Sequence, residues 1–139
     1  MFRIESKRLM IVPYRQEHID DFLEFYNHSE TMKYVSTGRS DWSKDELLKR
    51  MKSLSGDELF GVYSVVLKPE NKVIGEISFF DSYNKREKIE IGYILNPKYH
   101  GKGYATEMLG AVLDYLKSEL GIKTIIARVN GKNVNSVKL

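Results

Sequence analysis

The stretch His100, Gly101, Lys102, Gly103, Tyr104, Ala105 stands between an apolar, strand-like run and a helical one. Glycines at such a junction let the main chain turn tightly and come close to a ligand, and the helix that follows directs its unpaired N–H groups back at the turn. A phosphate suits that place. A plain strand-to-helix loop, with glycines for geometry alone, accounts for the same letters equally well. Two other phosphate cradles do not fit. No Gly-Lys pair is followed by Ser or Thr, as a P-loop needs, and Thr106 stands where a dinucleotide fingerprint needs its third glycine. The pattern that is met is Arg or Gln, two residues, Gly, one residue, Gly or Ala, by Gly103 and Ala105 with His100 in the first place.

Other chemistries are excluded by what the chain lacks. Without a cysteine there is no disulfide framework, thiolate metal site or cysteine nucleophile. His18, His28 and His100 do not have the spacing of a metal-binding pair, so no metal is expected. The 22 Lys and Arg against 19 Asp and Glu leave +3, too little for a dedicated nucleic-acid binder. That charge is uneven: residues 1–96 carry 15 positive and 16 negative side chains, and residues 97–139 carry 7 and 3. The basic last third is where an anionic ligand is expected. Charges at Arg3, Glu5, Lys7 and Arg8 rule out a signal-peptide opening, and no run approaches the ~20 apolar residues of a membrane span, so a cytoplasmic protein without a membrane partner is expected.

A length of 139 residues with 42% hydrophobic and 29% charged side chains suits a single globular domain over residues 1–139. Periodicity predicts a strand over Leu9–Pro13 and a helix from Gln16 to about His28, with Ile19, Phe22, Leu23 and Tyr26 inward. A Ser- and Thr-rich loop from about Ser29 to Trp42 lies early enough to fold over a site. Ser43 and Glu46 form a capping box ahead of Leu47, Leu48, Met51 and Leu54. Strands follow over Gly61–Leu67, Val73–Asp81 and Lys88–Leu95, joined by hairpin-length links at 68–71 and 82–86, hence antiparallel. The glycine turn then leads into a helix to about Glu119, stopped by Gly121, with Ala105, Met108, Leu109, Val112, Leu116 and Leu120 inward. Thr124–Val129 reads as a buried strand returning parallel to Lys88–Leu95.

The chain resembles the GNAT superfamily of N-acetyltransferases, and within it the ribosomal-protein N-terminal acetyltransferases. The resemblance is carried by Arg8-Leu9, by Val73-Ile74-Gly75-Glu76-Ile77 and by Ile91-Gly92-Tyr93-Ile94-Leu95-Asn96-Pro97. It continues through Gly101-Lys102-Gly103-Tyr104-Ala105-Thr106-Glu107 to Asn133 and Ser136, in that order over nearly the whole chain. It implies an α/β (α+β) acyl-CoA N-acyltransferase fold, with a mixed, mostly antiparallel central sheet flanked by helices. It also implies acetyl-CoA as donor and an amine acceptor. The diphosphate would lie on the amides of Gly101, Gly103, Tyr104 and Ala105, and the pantetheine arm in a splay between the strand ending at Leu95 and the one starting at Thr124. Ile94, Leu95, His100, Lys102 and Thr106 join the donor-binding set. Asn133 is implied to bond a pantetheine amide and Ser136 to contact the donor, although both are ordinary turn and N-cap residues.

Attack of an amine on a thioester needs a neutral nitrogen, and amines are mostly protonated at pH 7, so a base or a route to water is required. Glu90, two residues before Gly92, is the first candidate, because a buried carboxylate holds its proton more tightly. An ion pair to a neighbouring strand is its alternative role. Glu76 on the adjacent strand is the second candidate, or orients substrate. Gly92 marks an expected bulge, or else is a packing glycine, and the main-chain amide near Tyr93 is placed to receive the charge that grows on the thioester oxygen.

The family's proton donor, a tyrosine in the helix after the Asn, x, x, Ser segment, is expected to have no counterpart. The chain is expected to stop inside that last helix, without the family's final strands, leaving Thr124–Val129 as an open edge that favours a homodimer. A non-catalytic CoA-binding or protein-interaction module is the rival reading. The 29–42 loop and the 82–86 hairpin are expected to select the acceptor, and Trp42 to anchor the helix after it.

Overall fold

The computed structural model describes residues 3–33, 35, 38–54, 59–85, 88–129 and 133–138, and of 82–85, 128–129 and 133–138 the backbone. Seven strands form one sheet in chain order: β1 (Ile4–Glu5), β2 (Leu9–Pro13), β3 (Gly61–Leu67), β4 (Lys72–Lys85), β5 (Lys88–Leu95), β6 (Thr124–Val129) and β7 (Asn133–Lys138). All neighbours are antiparallel except β5 and β6. That one parallel pair is the one joined by a long helix, as a crossover requires. The mixed, mostly antiparallel sheet flanked by helices is the expected architecture.

The helices are α1 (Ile19–Tyr26, after a 3-10 turn Gln16–His18), α2 (Ser29–Met32), α3 (Lys44–Leu54) and α4 (Tyr104–Leu120). They divide the core in two. Ile74, Ile77, Phe79, Ile89 and Ile91 pack with Met108, Val112 and Leu116 of α4. On the opposite face Val62, Val73 and Ile94 pack with Phe22, Phe25 and Tyr26 of α1 and Leu47 and Met51 of α3. Because strand side chains alternate, Glu90 and Gly92 share the α1 face with Ile94, while Ile89, Ile91 and Leu95 turn to α4.

Several local signals act as expected. Ser43 Oγ accepts from the Glu46 amide and Glu46 Oε1 from the Ser43 amide, both at 3.1 Å, closing the capping box. Trp42 anchors α3, its ring edge-on to Tyr26 and flanked by the guanidinium of Arg39 at 4.2 Å. Gly121, at φ 66, ends α4, and the Ile122 amide donates back to Leu116 O at 3.0 Å. That reversal turns Leu120 out to 41% exposure and buries Ile122 in its place, against the expected inward Leu120.

The structure also corrects expectations. In α1 it is Phe25 rather than Leu23 that is fully buried, because α1 is covered by the sheet on one side and α3 on the other. β4 runs on to Lys85, past the expected end at Asp81, so four residues expected in the 82–86 link belong to the strand; the rest of that link lies outside the described residues. The β4–β5 ladder passes Gly92 without a register shift; the irregularity lies between Phe80 and Lys85, so the bulge expected at Gly92 is not on this ladder. Residues 133–138 form a strand, not the start of a helix: β7 pairs with β6 from Thr124↔Lys138 to Val129↔Asn133. The β-branched Val134 and Val137 suit that strand, and β6 supplies the ladder. Thr124–Val129 is therefore covered within the chain, and the dimer expected through its open edge loses its basis.

Candidate functional site

The β5–β6 ladder has five rungs, from Lys88↔Thr124 to Gly92↔Arg128. Tyr93, Ile94 and Leu95 continue β5 beyond them without a β6 partner among the described residues. The Asn96 amide bonds Ile74 O at 2.8 Å, so by the alternation of an antiparallel ladder Ile94 and Gly92 face β4 with their main-chain groups, whereas Leu95 and Tyr93 face the β6 side. A splay thus opens where the resemblance implies one. Gly75 permits the close β4–β5 approach beside it: a Cβ there would stand 2.5 Å from Ile94 O.

The turn after β5 is built for its glycines. Gly101 has φ 74 and Gly103 φ 82, both left-handed. Gly103 is the N-cap of α4, and having no side chain it leaves the first-turn amides uncapped. His100 closes the turn onto the strand, its Nε2–H donating to Leu95 O at 2.8 Å, a role beyond the ligand contact expected of it. From the other side Glu107 ties α4 to the chain start: its Oε1 accepts from Arg8 Nε at 2.7 Å and its Oε2 from the Arg8 amide at 2.7 Å and from Ser6 Oγ. The Arg8 guanidinium lies 4.3 Å from the Tyr104 ring centroid. Burial alone raises the Glu107 carboxyl, but these three donors bring it down to about 2.

A cavity of about 550 Å³ occupies the splay and the turn together. Tyr93, Ile94, Leu95, His100, Gly101, Gly103, Tyr104, Ala105 and Thr106 of the expected set all line it. Lys102 does not; its ammonium lies 5.8 Å from the Tyr99 ring centroid. Asn133 and Ser136 stand on β7, paired with Val129 and Ile126, and their side chains lie outside the described residues. The opposite wall comes from His28, Glu30, Thr31 and Val35, which sequence reasoning left inside a loop or at a helix end. The 29–42 segment does fold over the site, but through α2, whose cap is a histidine rather than Ser, Thr, Asp or Asn.

The two carboxylates flank the vertex of the splay on the α1 face. Glu90, paired with Phe80, lies two residues before Gly92; Glu76, on β4, pairs with Ile94, two residues after it. Both are 7% exposed and neither lines the cavity. Tyr26 OH donates to Glu76 Oε1 at 2.5 Å, and Ser78 Oγ lies 3.4 Å from Oε2. Burial pushes the Glu76 carboxyl above its usual range, against the pull of the Tyr26 and Ser78 hydroxyls and the Arg50 charge. The Tyr26 hydroxyl is raised well above its ordinary value by burial and by the Glu76 charge.

Among the described residues no helix is long and apolar enough to cross a membrane, and no three metal-ligating side chains cluster. Known proteins share this fold. Residues 8–139 match the family described as "Acetyltransferase (GNAT) domain". The chain is 30% identical over 136 residues to "Uncharacterized N-acetyltransferase YnaD" of Bacillus subtilis (strain 168), covering 98% of this chain and 78% of that protein. The crystal structure of a GNAT-family acetyltransferase from Bacillus anthracis superposes with a TM-score of 0.80 at 29% identity, over 91% of this chain and 72% of that one. The fold extends to the spermidine N-acetyltransferase of Vibrio cholerae, solved with CoA and spermine, with a TM-score of 0.73 at 20% identity over 88% and 71% of the two chains. With its glycine turn, splayed parallel pair and matching relatives, the chain belongs to the GNAT family of acetyltransferases.

Proposed function

We propose that this chain moves an acetyl group from acetyl-CoA to a primary amine, either a protein N-terminus or a small molecule, within the cavity between β5, α2 and the start of α4. The observation that carries this reading is the uncapped, glycine-built N-terminus of α4 opening into the same cavity as the end of β5, which has no β6 partner among the described residues. The amides of Gly101, Gly103, Tyr104 and Ala105 suit a diphosphate, because N–H groups at a helix start carry positive potential and have no internal partner. Lys102 adds charge near them. The end of β5 offers the main-chain groups of Tyr93 and Leu95, which face the β6 side, to the amides of the pantetheine arm, as a further strand would. Bound there, acetyl-CoA supplies an activated acyl carbon and a thiolate leaving group.

The chain's part is then to hold and move protons. Glu76 and Glu90 are the bases of this reading, each about two residues, or ~7 Å along a strand, from the vertex of the splay. Glu76 is supported by its raised affinity for a proton and by the Tyr26 hydroxyl that fixes its orientation. The Tyr93 amide, one residue beyond the last β6 rung, is the main-chain donor of this reading. Asn133 and Ser136, on β7, keep in this reading the donor contacts that the resemblance implies. The ribosomal-protein N-terminal branch belongs to this reading on the residues quoted for the resemblance alone.

The test is an acetyl-transfer screen over N-terminal peptides, polyamines and drug amines, read as release of free CoA thiol, beside calorimetric titration with acetyl-CoA. Transfer to one acceptor class with micromolar donor binding is expected. Binding without transfer to any amine would replace the enzyme by a CoA-binding module, and absence of binding would defeat both. Glu76→Gln and Glu90→Gln then separate the two bases, since only the true base should lose turnover while keeping donor affinity.

A further inference from the structure

We propose that His28 is a further donor-binding residue, whose Nε2–H bonds a carbonyl oxygen of the pantetheine arm from the wall facing β5. This rests on the acetyl-CoA reading of the cavity and assigns to that cavity a residue on α2.

The imidazole is held by one nitrogen. His28 is the N-cap of α2: Nδ1 accepts from the Thr31 amide at 3.3 Å and lies 2.9 Å from Thr31 Oγ1. A ring nitrogen that receives an amide N–H presents its lone pair, so in the neutral ring the proton is on Nε2. Nε2 has no partner among the described residues, and His28 is exposed on the rim of the cavity. A cap thus holds the ring through Nδ1 and leaves Nε2 as the donor of a residue that lines the cavity.

Position decides which part of the donor it meets. Tyr26, two residues earlier, is bonded to Glu76, and Asn27 is fastened by two bonds to the Trp42 main chain, at 2.7 and 2.9 Å. Glu76 is the cross-strand partner of Ile94. Two residues of chain, at most ~7 Å, tie His28 to Tyr26 and so to the Glu76–Ile94 pair, and His28 and Ile94 line the same cavity. That end faces the free main chain of β5, where the arm's amides would run. An N–H donor matches an amide carbonyl there, and the nearby Glu30 disfavours an anionic group at this wall.

The test is His28→Ser, because serine keeps a good N-cap acceptor for the Thr31 amide but cannot reach into the cleft. Acetyl-CoA and 3′-phospho-ADP, the nucleotide half without the arm, are titrated calorimetrically into the unsubstituted and variant proteins, with thermal unfolding alongside. The expected result is a ~5- to 10-fold loss of acetyl-CoA affinity, the loss of one neutral hydrogen bond, with 3′-phospho-ADP binding and the melting temperature unchanged. Equal losses for both ligands, or no loss for either, would overturn the assignment. Should the unsubstituted protein bind neither ligand, the donor reading itself fails, and the His28 assignment with it.

Discussion

Glu107→Gln is the substitution whose consequence can be worked furthest from the structure. The carboxylate receives Arg8 Nε and the Arg8 amide, each at 2.7 Å, and the Ser6 hydroxyl, and so joins the chain start to the first turn of α4. With its carboxyl drawn from 4.5 to about 2, the pair would contribute ~3 kcal/mol if fully shielded. The Glu107 side chain is 18% exposed and that of Arg8 38%, so solvent screening reduces this to ~1–2 kcal/mol. A folded-state value below the unfolded one means that the contribution is complete above about pH 5 and fades as pH falls through 4.5 toward 2. Urea unfolding of both proteins from pH 7 down to pH 3 reads this directly. The variant should be less stable by that amount at pH 7, and the gap should narrow steadily below pH 5. A gap that is absent at pH 7, or that stays constant to pH 3, would refute the charge-based role.

Further substitutions separate the other elements. Gly75→Ala forces a Cβ to within 2.5 Å of Ile94 O, so the β4–β5 ladder must shift; urea midpoints should show a loss of ~1–3 kcal/mol, together with weaker acetyl-CoA binding. Tyr26→Phe removes the hydroxyl that favours the Glu76 carboxylate, raising its proton affinity further; if Glu76 is the base, the acid limb of the kcat/KM profile moves to higher pH, and an unmoved limb excludes it. Ser43→Ala opens the capping box of α3 and should cost ~1 kcal/mol in thermal or urea unfolding while sparing donor affinity.

What could be read from the letters follows from how local each signal is. The capping box of α3, the apolar stripe of α4 and the stop at Gly121 are written within a few residues of where they act, and all are present. Gly101 and Gly103 announce the turn because only glycine adopts their backbone conformation without strain. The two-residue β1 is too short to have a period. β7 is not legible because Asn133 and Ser136 are turn and N-cap residue types that suit a helix start, whereas the pairing offered by β6 outweighs local propensity. The cavity wall at His28, Glu30 and Thr31 depends on α1 and α3 holding α2 over β5, which no spacing in a loop-like segment expresses. Arg8 and Glu107 are 99 positions apart, so their contact belongs to the tertiary structure, although both lie in segments that carried the resemblance.

The grip of main-chain amides on a diphosphate is tested most directly by following backbone amide resonances in solution as CoA is added. Large, saturable shifts at Gly101, Gly103, Tyr104 and Ala105, tracking the same dissociation constant as Tyr93 to Leu95, are the expected result. Saturating CoA that leaves those four amides unmoved would contradict the assignment of the cavity.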